Sequence, residues 1–240
     1  FKGSEDFVGQ IIHPQEWNST IDYENKKVAV IGSGATAVTL VPQIAKKASH
    51  VTMIQRSPTY IASVPSKYKI LHLLNYISPK FGYKIIRFTN ILRQRRIYRR
   101  ARRSPELVKD YLLGLVRDEL PDFDIEKHFT PSYNPWEQRL CLAPDSDFFE
   151  SIKQKRVSIE TETIDSFSEK GVQLDSGKLI EADIIVTATG IKLQNFGGIR
   201  IFVDENEIDI SKSFIYKSMM YTQIPNFINT FGYINASWTL

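Results

Sequence analysis

The sequence predicts an α/β fold, a parallel sheet carrying a mostly helical insert, and three observations predict it. Residues 26–31 (K-K-V-A-V-I) form a short apolar run that enters Gly32-Ser33-Gly34-Ala35-Thr36-Ala37 and then the helical stretch V-T-L-V-P-Q-I-A-K-K-A. A strand, a tight turn and a helix therefore follow one another with G-x-G-x-x-G/A spacing. Residues 63–137 lack strand alternation and are interrupted by Pro79, Pro105 and Pro121, the pattern of a helical stretch with breaks. Strand-like text returns after residue 138 and includes A-D-I-I-V-T-A-T-G, a buried run of the parallel-sheet kind that ends at Gly190. Strands alternating with helices around such a turn make a Rossmann-like nucleotide-binding domain.

Five stretches follow in order. Residues 1–24 are polar and turn-rich around F-V-G-Q-I-I-H-P-Q-E-W. Residues 25–62 are the strand–turn–helix–strand unit, with Pro42 expected to kink its helix. Residues 63–137 are the helical insert. Residues 138–188 complete the nucleotide domain. Within them T-E-T-I-D-S-F, G-V-Q-L-D and K-L-I-E-A read as short antiparallel strands, a small meander with a turn at Asp175-Ser176-Gly177. Residues 189–240 form the last stretch.

The turn chemistry is specific. Gly32 permits the turn, Gly34 lets a pyrophosphate approach the backbone, and Ala37 lets the helix pack on the strand. The helix start at Ala35 and Thr36 offers free N–H groups and a partial positive charge to phosphates. An NAD site would place Asp or Glu roughly 20 residues past the turn, at the end of the next strand. Here Gln55 holds that place, followed by Arg56 and Ser57. A guanidinium and a hydroxyl suit a 2′-phosphate that a carboxylate would repel, so the expected ligand is NADPH. The alternative is that Arg56 is a solvated residue beside an NAD or FAD site. Thr189 and Gly190 close a strand at its carboxyl end and are expected to line the nucleotide cleft.

Composition sets further bounds. The single cysteine, Cys141, excludes an intramolecular disulfide and a C-x-x-C redox pair. No apolar run reaches the roughly 18 residues needed to span a bilayer, and no signal peptide is visible, so a cytoplasmic protein is expected. No metal site is expected. The net charge of +4 is concentrated in Arg87, Arg93, Arg95, Arg96, Arg99, Arg100, Arg102 and Arg103. Interleaving with Ile, Leu and Phe at helical spacing makes a solvated amphipathic helix the first reading. A helix lying on an anionic membrane through residues 87–103 is the second. Nucleic acid ranks last, without a recognised reading motif, and is not expected as a partner.

Phe7-x-Gly9-x-x-x-His13-x-x-x-Trp17 resembles the F-x-G-x-x-x-H-x-x-x-W fingerprint of Baeyer–Villiger monooxygenases. These are class B flavoprotein monooxygenases, alongside the flavin-containing monooxygenases. The fingerprint usually ends in Pro or Asp, where this chain has Asn18. The segments H-V-T-M-I-Q-R-S-P-T-Y, Y-N-P-W-E-Q-R-L-C-L, V-T-A-T-G and G-Y-I-N-A-S-W-T-L extend the resemblance over essentially the whole chain, towards the ethionamide-activating subgroup. The resemblance implies two cofactors. NADPH reduces FAD, and the reduced flavin takes up O₂ as a C4a-(hydro)peroxide that attacks a ketone or oxygenates a sulfur or nitrogen centre. It implies that Arg139 stabilises that negative peroxide and helps hold the nicotinamide, the alternative being a structural ion pair. Gln138 stands where the family often has a Lys on the 2′-phosphate, which leaves more of that task to Arg56 and Ser57. His13 lies at the junction of the two nucleotide domains in the family and affects both domain motion and catalysis; a structural role is its alternative.

Family members also carry an upstream glycine turn for the ADP part of FAD, whereas this chain has one such turn, after the fingerprint. An internal fragment is therefore expected, with residues 1–24 and 189–240 as partial FAD-domain segments and an incomplete FAD site. As an isolated chain, a non-catalytic NADP(H)-binding module is the alternative function. A short-chain dehydrogenase is a third reading, from the Y-x-x-x-K spacing of Tyr76-Ile77-Ser78-Pro79-Lys80, which Pro79 opposes by breaking the required helix.

Overall fold

A computed structural model describes residues 1–66, 78–192 and 194–230. Its centre is a five-stranded sheet built from β1 (Gln10–Ile12), β2 (Lys27–Ile31), β3 (His50–Gln55), β6 (Val157–Thr161) and β10 (Ile184–Thr187). The strand order is β1-β10-β2-β3-β6 and every pairing is parallel. From β2 the chain first steps to β3 and later returns to β10 on the other side. The order thus reverses at β2, and the crevice beyond the carboxyl ends of β2 and β10 is where a doubly wound sheet binds ligands.

Both faces of the sheet are buried, which explains its near-continuous apolar strands. Val28, Val30, Val51, Met53, Ile159 and Val186 point to a helical layer formed by α1 (Ala35–Ile44) and α5 (Asp147–Lys153). Ala29, Ile31, Ile54 and Ile185 point the other way. They meet Phe7 and a meander of β7 (Ile164–Ser168), β8 (Gly171–Leu174) and β9 (Leu179–Glu181). The period of two along each strand divides the side chains between the layers. The Asp175-Ser176-Gly177 turn joins β8 to β9 with Gly177 at φ +84° and its N–H bonded to the Leu174 carbonyl at 2.9 Å.

Residues 1–24 contribute more to this domain than the sequence suggests. β1 is an edge strand of the nucleotide sheet, and Phe7 is buried in the meander core. Gly9 explains itself here. A Cβ on it would stand 2.2 Å from the Asp183 carbonyl oxygen and 2.5 Å from the Phe7 ring. Trp17 packs edge-on to Tyr23 at 5.6 Å and against the main core.

The insert opens and closes on a parallel pair, β4 (Tyr60–Val64) with β5 (Leu140–Pro144), in register from Tyr60↔Leu140 to Val64↔Pro144. Between them lie α2 (Pro79–Arg103), α3 (Pro105–Glu119) and α4 (Ile125–Phe129). Pro79 and Pro105 are first helical residues, so the break at Ser104 is also a helix start. Pro42 sits inside α1, which ends two residues later at Ile44. Val108, Leu112, Leu113 and Val116 give α3 an apolar stripe at three- and four-residue spacing, and it is buried. In α2 the buried residues are Gly82 and Ala101. Lys80 lies in the first turn of α2, whose first residue is Pro79. The Y-x-x-x-K spacing would thus straddle a helix start; Tyr76 and Ile77 themselves lie outside the described residues, as does G-Y-I-N-A-S-W-T-L. Two short hairpins follow the sheet, β11 (Phe202–Val203) with β12 (Asn206–Glu207) and β13 (Ile215–Tyr216) with β14 (Met220–Tyr221).

Candidate functional site

The glycine turn lies at the point where the strand order reverses. Gly32 has φ +133°, a conformation side chains avoid, and a Cβ there would stand 2.4 Å from the Ala188 carbonyl oxygen. Its N–H bonds the Ile54 carbonyl at 2.8 Å. Gly32 thus fastens the end of β2 to β3 and to the exit of β10. Gly34 differs: it is extended at φ −80°, and a Cβ would meet nothing within 4 Å. The space above it is open. No side chain caps the first turn of α1, so the N–H groups of Ala35, Thr36 and Ala37 are left for a ligand or solvent. Ala37 is fully buried against the sheet, as close helix–strand packing requires.

Ser33 is nearly buried, and its hydroxyl donates to the Ser57 carbonyl (3.3 Å) and meets the Thr59 hydroxyl (3.0 Å). Its side chain therefore ties the turn to the β3–β4 loop instead of facing a ligand. The Ser33 carbonyl is 3.9 Å from the buried Cys141 Sγ, whose thiol burial pushes above its ordinary range.

Gln55 is also turned inward. It is 2% exposed, and its amide nitrogen donates to the His128 carbonyl and to Thr161 Oγ1, both at 2.8 Å. His128 Nδ1 contacts the same Thr161 hydroxyl at 2.7 Å. Burial, and then Lys127, hold the His128 imidazole below the ordinary histidine range. The end of β3 is thereby clamped to α4 and β6. Arg56 and Ser57 emerge exposed immediately after the clamp. Among the described residues the Arg56 guanidinium has no carboxylate within ion-pair distance.

Gln138 and Arg139 precede β5 and are exposed. They immediately precede Leu140, which pairs with Tyr60, and Arg139 lies two residues before Cys141, whose thiol reaches the Ser33 carbonyl of the glycine turn. Tyr133 donates its hydroxyl to the Arg139 carbonyl at 2.9 Å. The Arg139 guanidinium makes no ion pair among the described residues, so a structural salt bridge does not account for it. Tyr60 donates to the Tyr133 carbonyl at 2.8 Å, and burial pushes its phenol up to about 12.

His13 lies past β1, at the same carboxyl edge of the sheet. Its Nδ1 accepts the Gln15 N–H at 3.3 Å, so in the neutral ring Nε2 carries the proton and donates to the Gly190 carbonyl at 3.0 Å. Gln15 pairs with Lys192 through both amide atoms, Nε2 to the carbonyl at 3.1 Å and Oε1 from the N–H at 2.7 Å. Residues 13–15 and 190–192 are thus laced together. Gln15 was not legible as a partner, because its contact is 177 positions away in sequence. Gly190 has φ +140° and, like Thr189, is exposed. No contact between His13 and Arg139 occurs among the described residues, and neither does a group of three or more His, Cys, Asp or Glu able to hold a metal ion.

Residues 1–93 match the family described as flavin-binding monooxygenase-like. FAD-containing monooxygenase EthA of Mycobacterium tuberculosis is 49% identical over 243 residues, covering all of this chain and 50% of that protein. Probable FAD-binding monooxygenase AlmA of Acinetobacter baylyi is 48% identical over 242 residues, with 100% and 49% coverage. The chain spans about half the length of the curated relatives it matches. Among solved structures, oxidized steroid monooxygenase bound to NADP aligns with a TM-score of 0.62 at 19% identity, covering 79% of this chain and 44% of that one. The OTEMO complex with FAD and NADP aligns at 0.59 and 19% identity, covering 80% and 44%. These structures share the fold.

Proposed function

We propose that this chain, which is similar to flavin-binding monooxygenase-like proteins and to FAD-containing monooxygenases, supplies the NADPH-binding part of a class B FAD-dependent monooxygenase. The observation that carries this reading is a convergence on the glycine turn. Its first-turn N–H groups are uncapped and the space over Gly34 is open, while Ser33 contacts Ser57 and Cys141, the neighbours of Arg56 and Arg139, two arginines with no ion-pair partner among the described residues.

NADP(H) suits that site. The pyrophosphate would sit over Gly34, Ala35 and Thr36, and the 2′-phosphate against Arg56 and Ser57, with neutral Gln138 beside them. Arg139 would hold the nicotinamide end and face negative charge developing there. His13 and Gly190 hold the two strand exits together, so His13 acts by positioning rather than by proton transfer. FAD, when bound, would supply hydride acceptance from NADPH and activation of O₂ towards a ketone, thioether or amine. The described residues contain one dinucleotide cradle, and it suits NADP(H). The same observation favours a second reading for the chain on its own, a module that binds NADP(H) without turnover. A cytoplasmic enzyme is the setting we propose. No helix among the described residues is long and apolar enough to cross a membrane.

The test is NADPH-driven oxygen uptake by the intact enzyme with a ketone and with a thioether, and the same assay on Arg139→Ala. We expect substrate-dependent uptake that falls roughly 100-fold or more in the variant, the scale of losing one charge-stabilising donor. Unchanged turnover in Arg139→Ala would remove that residue from the chemistry. NADPH oxidation that no organic substrate stimulates would argue against the monooxygenase reading.

A further inference from the structure

We propose that α2 docks this protein on the surface of an anionic lipid bilayer, lying in the interface without crossing it. A solvated amphipathic helix turns its apolar stripe to the core; α2 does the opposite. Its buried residues are the small ones, Gly82 and Ala101. Phe81 and Phe88 remain 55% and 62% exposed, with Ile85 and Leu92 half-buried between and after them. Positions 81, 85, 88 and 92 fall on one helical face at about 100° per residue, with buried Ala101 roughly opposite it and buried Gly82 about a quarter-turn round. The same face continues into Arg96, Arg99 and Arg103. With Arg100 and Ser104 these line an open hollow of about 310 Å³.

Charge complementarity selects the occupant. α2 contains no Asp or Glu, and among the described residues Arg96, Arg99, Arg100 and Arg103 have no carboxylate in ion-pair range. The helix dipole favours cations only in the final turn, so Arg96 and Arg99 need an outside counter-ion. A bilayer carrying phosphate headgroups meets both halves of the face at once: acyl-chain contact for Phe81, Ile85, Phe88 and Leu92, and phosphates for the arginines. Nucleic acid would satisfy the arginines and leave the apolar stripe in water. α2 is long enough but too highly charged to span a bilayer.

The experiment is flotation of the intact protein with vesicles of phosphatidylcholine alone and with one-third phosphatidylglycerol, at low and high salt. We expect binding to the anionic vesicles only, weakened by salt. Arg96→Glu with Arg99→Glu should lower the bound fraction about tenfold or more, and Phe81→Ser with Phe88→Ser should lower it comparably. All four positions lie outside the nucleotide crevice, so NADPH binding should persist and serves as the folding control. Failure to float, equal binding to neutral vesicles, or variants that float normally would overturn the proposal. So would retention by nucleic acid that competes the protein off anionic vesicles. Because NADPH binding is read separately, none of these results touches the proposed enzymatic function.

Discussion

Gly32 and Gly34 sit two positions apart and have different reasons to be glycine, which makes them separable by experiment. Gly32 is required by the fold, through its positive φ and the Ala188 carbonyl 2.4 Å from any Cβ. Gly32→Ala should cost roughly 1–3 kcal/mol of stability, read as a lower urea midpoint. Gly34 has nothing within 4 Å of a Cβ, so Gly34→Ala should unfold like the parent yet bind NADPH at least about tenfold more weakly, since the added methyl meets the pyrophosphate. A Gly34→Ala protein with parental affinity would mean that no phosphate approaches there. Arg56 makes the cofactor choice: Arg56→Glu should lose most of its affinity for NADPH while sparing NADH, because a carboxylate repels the 2′-phosphate. The spacing of the glycine turn and the place of Arg56 and Ser57 after β3 are legible in the sequence. The inward turn of the Ser33 and Gln55 side chains is not, because both spend their side-chain donors inside the protein, on partners 24 to 106 positions away.

At the scale of elements, sequence pattern served where an element is long or periodic. The β2–α1–β3 unit, the meander and the helical nature of the insert follow from it. It failed for β1, three residues without alternation, and for the β4–β5 pairing, whose strands lie 80 positions apart in register. The break expected at Pro105 falls between two helices, and the proline itself opens the second of them. The clamp of β3, α4 and β6 through Gln55, Thr161 and His128 has a pH signature. Burial lowers the His128 pKa in the fold from 6.5, so the native state binds fewer protons than the unfolded one below that pH. This contribution is complete above about pH 6.5 and is lost as pH falls from there through the lowered native value. Urea midpoints measured from about pH 7 to pH 5 should fall for the parent and fall less steeply for His128→Gln; parallel curves would remove His128 from the effect.

For the whole molecule, the three layers close round the sheet, but residues after it do not. Ile199, Phe202, Phe214, Ile215, Tyr216 and Ile228 are more than half exposed, an apolar surface of the kind that partners cover. We propose that a flavin-binding part covers these residues. The isolated chain should then self-associate in sedimentation, and Phe214→Ser with Ile215→Ser should reduce that; a monodisperse parent would contradict it. Binding of NADP(H) at the carboxyl ends of β2 and β10 is tested by titrating the chain with NADPH and with NADH, followed by nicotinamide fluorescence. We expect saturable NADPH binding at least about ten times tighter than NADH, the worth of one charge-assisted phosphate contact. Equal affinities, or no binding of either, would contradict it.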